Sequence, residues 1–212
     1  MHPSRGSLIF TLLSGLAILL VGNCIADPIG NLDALMERNS RGTASFDQVL
    51  YDAEEKKIES TSGTLIFERP GKFKWHYKKP FEQLIICNGK KLWFYDVDME
   101  QVIVNNVEGL VSASPAALIA GSESIDSHYI LEVVRDDNSK KNWLKLIPIR
   151  DDGVFAAIKI SFKEDIFSVM EMTDYLGQKT VITFTNFDTQ VKFEIDAFEF
   201  TPPDGVEVLS QQ

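Results

Sequence analysis

The chain has 212 residues, 44% of them hydrophobic, with 21 Lys+Arg against 31 Asp+Glu and a formal net charge of −10. That length gives one domain with a real core and does not require a second. The acidic balance argues against nucleic acid and against an anionic membrane surface as partners.

At the N-terminus, His2 and Arg5 precede an apolar run from Leu8 to Val21, broken only by Thr11, Ser14 and Gly15. Such a run is short for a membrane span and suits the core of a secretory signal. Cys24-Ile25-Ala26 provides small residues at −3 and −1, so cleavage is predicted between Ala26 and Asp27, with one domain over 27–212. The alternative is a lipoprotein signal with Cys24 as the lipidated residue; Asn23 before it fits that pattern poorly. Cleavage after Ala26 removes Cys24 and Arg5, leaving Cys87 as the single cysteine and a net charge of −11. An exported chain that cannot form an internal disulfide suits a bacterial periplasm.

Pro28 to Ser40 predicts a short helix, with Leu32, Leu35, Met36 and Asn39 at helical spacing and Gly42 beyond its end. From Ser45 the period changes to two. Strands are predicted at 45–52, 58–68, 72–78, 82–87, 91–95 and 101–105, then at 129–135, 143–148, 156–162, 167–173, 180–186 and 191–200. Asn88-Gly89 predicts a type I′ turn, while Asp136-Asp137-Asn138, Asp151-Asp152-Gly153 and Leu176-Gly177 punctuate the rest. Short connections imply antiparallel neighbours in a long meander. The stretch Ser114 to Gly121 breaks the pattern: Ser at the N-cap, Pro at the first helical position, Gly past the end. This short helix is apolar almost all round, so it must be buried against something or cover something.

Between Glu68 and Pro80, alternation puts Phe73, Trp75 and Tyr77 on one face of a strand. Lys72, Lys74, His76 and Lys78 fall on the other. Arg69-Pro70-Gly71, just before, is a turn signal with one fixed charge. Catalytic patterns are missing: no Gly-x-Ser-x-Gly elbow, no His-Glu-x-x-His, no Cys-x-x-Cys and no phosphate-binding glycine loop. Asp96-x-Asp98-x-Glu100 lacks the glycine and distant glutamate of a calcium loop and reads as a solvated turn, so no metal or cofactor is expected. Cys87 with His76 or His128 leaves open a hydrolase acting on lipid-like substrates, although its place beside a hairpin turn suits a half-buried thiol. Phenylalanine is abundant, and Trp75, Trp93 and Trp143 join it on alternating strands. The helices are too few to fill the concave side of so large a sheet. An apolar hollow under a short apolar helix is a ligand cavity.

Several motifs occur together and in order. They are Arg69-Pro70-x-x-Phe73-x-Trp75, Pro80, Asn88-Gly89-x-x-Leu92-Trp93-x-Tyr95, Glu100-Gln101, Ser114-Pro115-x-x-Leu118-Ile119, and Phe198-x-Phe200-x-Pro202-Pro203-x-Gly205-Val206. In this the chain resembles the periplasmic outer-membrane lipoprotein carrier family, LolA, over nearly all of its length beyond the signal. The resemblance implies a mainly β fold: an unclosed antiparallel β half-barrel of roughly eleven strands, its apolar concave face lidded by short helices. It also implies a monomeric periplasmic chaperone of a Gram-negative type of cell, without enzymatic activity. The cargo would be lipoproteins released by an inner-membrane ABC transporter and passed to an outer-membrane receptor. By the same resemblance Arg69 latches the lid to helix backbone, Phe73 is a ring at the cavity mouth, and Leu118 and Ile119 belong to the lid. Trp75, Tyr77 and Trp93 are placed with Phe73 in the acyl-chain cavity. A receptor or lipoprotein sensor of the same fold is the alternative, favoured if Cys24 is lipidated.

Overall fold

The computed structural model describes residues 32–107, 115–121, 125–136, 141–150 and 154–210. The signal, its cleavage site, Ser114 and the turns at 137–138 and 151–153 lie outside the described residues. Helix α1 (Leu32–Arg38) leads into six strands: β1 (Arg41–Tyr51), β2 (Lys57–Glu68), β3 (Lys72–Lys79), β4 (Gln83–Asn88), β5 (Lys91–Asp96) and β6 (Gln101–Asn106). Helix α2 (Pro115–Ala120) and a single 3₁₀ turn at Ile125–Ser127 follow. The chain continues through β7 (Tyr129–Asp136), β8 (Lys141–Pro148), β9 (Phe155–Lys163), β10 (Ile166–Asp174), β11 (Lys179–Asp188) and β12 (Glu207–Ser210).

All twelve strands form one sheet in the order β12-β6-β5-β4-β3-β2-β1-β11-β10-β9-β8-β7. Two antiparallel meanders, β1–β6 and β7–β11, are thus joined where β1 pairs with β11. The first and last strands of that order, β12 and β7, do not pair, so the barrel stays open. The stretch between β6 and β7 carries α2 over the concave face, where α2 packs on β2 and β3. The side chains of that face form the main core, including Phe46, Leu65, Phe67, Phe73, Trp75 and Ile182 with Leu35 and Met36 of α1 and Leu118 and Ile119 of α2.

Three expectations need correction. Residues 191–200 form no strand; turns closed by Ala197 N–H to the Glu194 carbonyl and Glu199 N–H to the Asp196 carbonyl occupy this stretch. Pro202-Pro203 then carries the chain across the convex side, since two residues without N–H cannot extend a ladder. The final strand β12 therefore returns parallel to β6 rather than antiparallel. The second correction concerns Asn88-Gly89. Gly89 has φ +88°, but Asn88 stays in β4 and its Oδ1 accepts from the backbone N–H of Lys90 and Lys91, both at 3.0 Å. An Asx-type turn replaces the type I′ turn because the side chain, not a left-handed Asn, closes the loop.

The third correction concerns Trp93. Cross-strand partners share a face, so Phe73, Cys87 and Leu92 line up on the concave side. Trp93, one residue on, pairs with Ile86 and Val104 and points to the convex side. There it joins Ile86 and Val102 in a second cluster covered by Phe200, whose ring lies 6.2 Å from it. Trp93 is a buried anchor for the C-terminal segment, not part of the concave face.

Candidate functional site

The concave face is apolar at one end and polar at the other. At the end where β2 turns into β3, Phe67 and Phe73 lie against the two helices, 0% and 3% exposed. Phe73 is therefore covered, not at an open mouth. Midway, Phe46 packs on Trp75 with ring centroids 4.5 Å apart and meets Tyr77 edge-on at 5.3 Å. This packing needs Gly63 opposite Phe46. A Cβ there would sit 2.9 Å from Phe46 Cζ and overlap the His76 carbonyl oxygen.

The turn Arg69-Pro70-Gly71 holds both helices. Arg69 Nη1 donates to the Ile119 carbonyl at 2.9 Å and lies 3.4 Å from Met36 Sδ of α1. Gly71 N–H donates to the Ala120 carbonyl, and Arg69 N–H donates to the Ser40 carbonyl at 2.7 Å. Ile119 and Ala120 end α2, where carbonyls lack helical partners and a cation is favoured. One guanidinium bond, to Ile119, and one backbone bond, from Gly71, thus fix the helix. No carboxylate pairs with Arg69 among the described residues, and burial lowers its pKa below the ordinary arginine value. The bond to helix backbone is the one the family resemblance implied, whereas the contact with Met36, which the sequence places on the apolar face of α1, comes only from the tertiary structure.

At the other end, Gln48, Leu50, Glu59, Thr61 and Thr180 line a pocket of about 50 Å³. Gln48 stands opposite Thr61, and Leu50 opposite Glu59 and Thr180, so the pocket spans β2, β1 and β11 on the concave side. Tyr77 donates from its hydroxyl to Gln48 Oε1 at 3.3 Å. Burial pushes the Tyr77 phenol up to about 12, against the smaller opposing pulls of Trp75 and Gln48. Thr61 Oγ1 is buried with no hydrogen-bond partner among the described residues, while the buried Trp75 indole N–H lies close enough to the Tyr77 hydroxyl to oppose the rise of its pKa. Sequence reasoning missed this polar end. The signal was present, since Gln48 falls in phase with Phe46 and Leu50, and Thr61 with Leu65 and Phe67.

The hydrolase alternative lacks its geometry. Cys87 faces the concave side, 3% exposed, and burial raises its thiol pKa, which opposes the reactive thiolate. His76 alternates to the convex side, where Nε2 lies 2.8 Å from Glu82 Oε1. His128 precedes β7, an edge strand at the other side of the sheet order, with Nδ1 2.9 Å from Ser127 Oγ. Asp96 is committed to its turn: Gln83 Nε2 and the Met99 N–H donate to it, and these bonds hold its carboxyl below the usual range.

The family model "Outer membrane lipoprotein carrier protein LolA" matches residues 39–201. An outer-membrane lipoprotein carrier protein of Nitrosospira multiformis is 37% identical over 196 residues, 92% of this chain and 94% of that one. Its counterpart in Cupriavidus taiwanensis is 38% identical over 177 residues, 82% of each chain. Among solved structures, an uncharacterized conserved protein from Thermus thermophilus aligns with TM-score 0.55 at 16% identity, covering 86% of this chain and 98% of that one. A putative outer membrane lipoprotein-sorting protein domain from Vibrio parahaemolyticus aligns with TM-score 0.50 at 13% identity, over 81% and 95%. At such identities the structures speak to the fold, which is the same open β sheet with helical cover.

Proposed function

From the premise that this chain belongs to the outer membrane lipoprotein carrier family, LolA, a family of carriers and not of enzymes, we propose that it shuttles lipoproteins across the periplasm. It takes them from an inner-membrane ABC transporter and delivers them to an outer-membrane receptor. The observation that carries this reading is the bond from Arg69 to Ile119. It ties a short apolar helix over the apolar concave face by contacts that can be broken without unfolding the sheet.

The physics of the cargo requires such a device. Three acyl chains carry on the order of 45 methylenes, and exposing them to water would cost about 35 kcal/mol. The chains must be covered in transit and still be released. In the closed state Phe73, Trp75 and Tyr77 line the concave face, and Leu118 and Ile119 occupy space that acyl chains would take. Loading moves the helix outward and breaks the Arg69 and Gly71 bonds. That cost is subtracted from cargo affinity, which favours delivery onward without an energy source in the periplasm.

The test is purification from the periplasmic fraction followed by mass spectrometry of the intact protein and its companions. The expected result is a mature chain beginning at Asp27, without lipid, accompanied by acylated lipoproteins. A diacylglyceryl adduct on Cys24, or the recovery of no lipoprotein even after transporter co-expression, would overturn the reading.

A further inference from the structure

The concave side of β2 changes character along its length. Phe67 and Leu65 are fully buried, and the same face then runs through Gly63 and Thr61 to the exposed Glu59. Glu59 thus stands where the apolar face meets water. Its carboxylate has no ion-pair or hydrogen-bond partner among the described residues, whereas Glu55, Glu68 and Glu171 are each paired with a lysine. Leu50 faces Glu59 across the ladder, and Gln48 is its diagonal neighbour, a separation that long side chains span. With Thr180, on the far side of Leu50, these residues line the pocket of about 50 Å³. Gln48 Oε1 accepts one bond from Tyr77 and keeps a second lone pair, and Thr180 adds a hydroxyl oxygen. The Glu59 charge also adds to the larger effect of burial in raising the Tyr77 phenol, so its field acts on the concave interior. One carboxylate with neutral oxygens is too little for a hard divalent cation such as calcium. It suits an alkylammonium, whose three N–H groups spread over separate acceptors. The pocket has room for such a terminus, a few water-sized groups, and not for an acyl chain.

We propose that Glu59, with the oxygens of Gln48 and Thr180 beside it, binds an alkylammonium group at the polar end of an acylated ligand. This rests on the carrier reading and deepens it: the chains lie toward Phe67 and Phe73, and the ammonium is met where the ligand leaves the concave face. The group has two sources, a lysine close to the acylated cysteine of a cargo protein or the aminoethyl headgroup of a phospholipid. The carrier then discriminates among acylated molecules by the charge near the root of their chains.

The probes are two pairs of acylated ligands, compared by displacement of a fluorescent fatty acid. In the first, a synthetic lipopeptide carries lysine next to an S-diacylglyceryl cysteine, and its counterpart carries acetyllysine. In the second, phosphatidylethanolamine is set against phosphatidylcholine with the same chains, which keeps the charge but has no N–H. The wild-type protein should prefer the ammonium member of at least one pair by on the order of tenfold, the scale of one charge-assisted hydrogen bond. Glu59→Gln should bring that ratio close to one. A preference confined to the peptide pair identifies cargo lysine as the source, and one confined to the lipid pair identifies the headgroup. Ratios near one for both pairs in the wild type, or a ratio unchanged in Glu59→Gln, overturn the proposal while acyl binding upholds the carrier. Failure to bind any of the four ligands overturns both. Should the variant fail to fold, the wild-type ratios alone decide.

Discussion

The Nη1 of Arg69 lies 2.9 Å from the carbonyl oxygen of Ile119, 50 positions further along the chain. The bond joins the β2–β3 turn to the last turn of α2, and the guanidinium also touches Met36 of α1. A single side chain therefore senses the position of both helices. Among the described residues its half-buried charge has one carbonyl and a thioether for company, so burial is only partly compensated.

This gives the first prediction, for Arg69→Leu. A charge-assisted bond contributes about 1.5–3 kcal/mol, enough to bias closed over open by roughly tenfold or more. Its loss should leave loading intact or stronger and impair release. The empty protein should lose little stability, since the desolvation cost disappears with the bond. Transfer of bound lipoprotein to the outer-membrane receptor is the measurement, and transfer at the wild-type rate and yield would refute the latch.

Phe73 and Trp93 make a contrasting pair. They sit two strands apart, on opposite faces, each under 10% exposed. Phe73→Glu places a carboxylate in the proposed acyl path, where it must stay hydrated or protonate, and loading should fall severely. Trp93→Ala removes the ring under Phe200 and should destabilise the fold by about 3–5 kcal/mol. Loading at a temperature where it remains folded should be close to normal. Lipoprotein co-purification and thermal unfolding of both variants separate the faces; a loading defect in folded Trp93→Ala would return Trp93 to the cavity.

Sequence alternation carried the fold this far because most strands have one dry face. It revealed the antiparallel strands and put Phe73, Trp75 and Tyr77 on one face; the capping residues marked α2, and the unclosed barrel came from the family resemblance. It misplaced Trp93 because β5 is apolar on both faces: Leu92 and Phe94 pack inward while Trp93 and Tyr95 pack under Phe200. Period two cannot choose between two buried faces. The segment 191–200 failed for a related reason. Its aromatic spacing looks like a strand, but Phe193 and Phe198 meet edge-on at 5.2 Å within a turn, and Phe200 covers another strand's surface. The Arg69–Ile119 bond follows no periodicity, and only the family resemblance pointed to it.

Alkaline titration supplies the next prediction. Burial raises the Tyr77 phenol from 10.0 to about 12, so the folded state holds its proton where the unfolded chain releases it. The stabilising contribution is fully present below pH 10 and is lost as pH rises through about 12. Two units correspond to about 3 kcal/mol at most, less for a side chain still partly in water. Tyr77→Phe should flatten the fall in stability between those pH values, measured by urea unfolding. An identical alkaline slope in the variant would show that Tyr77 does not titrate across this window.

The last prediction concerns Gly63, which lets β2 and β3 close over the Phe46 ring. A bulge between Ser62 and Gly63 brings the His76 carbonyl so near that no β-carbon fits. Phe46 Cζ stands on the other side of the same position at 2.9 Å. Gly63→Ala must therefore push the backbone of β3 away or drive Phe46 off Trp75, whose rings are only 4.5 Å apart. Relief through a flexible side chain is not available, since the nearer obstacle is main chain. Overpacking of this kind costs about 1–3 kcal/mol, occasionally more. Because the displaced rings belong to the concave face, the same substitution should weaken lipoprotein loading at temperatures where the protein is still folded. Phe46→Leu in the Gly63→Ala background should restore part of the lost stability by making room at Cζ, without removing the clash with the His76 carbonyl. Thermal unfolding of the single and double variants tests this directly. A Gly63→Ala protein as stable as the wild type would mean that the bulge yields freely, and that the Phe46–Trp75 stack is not set by this glycine.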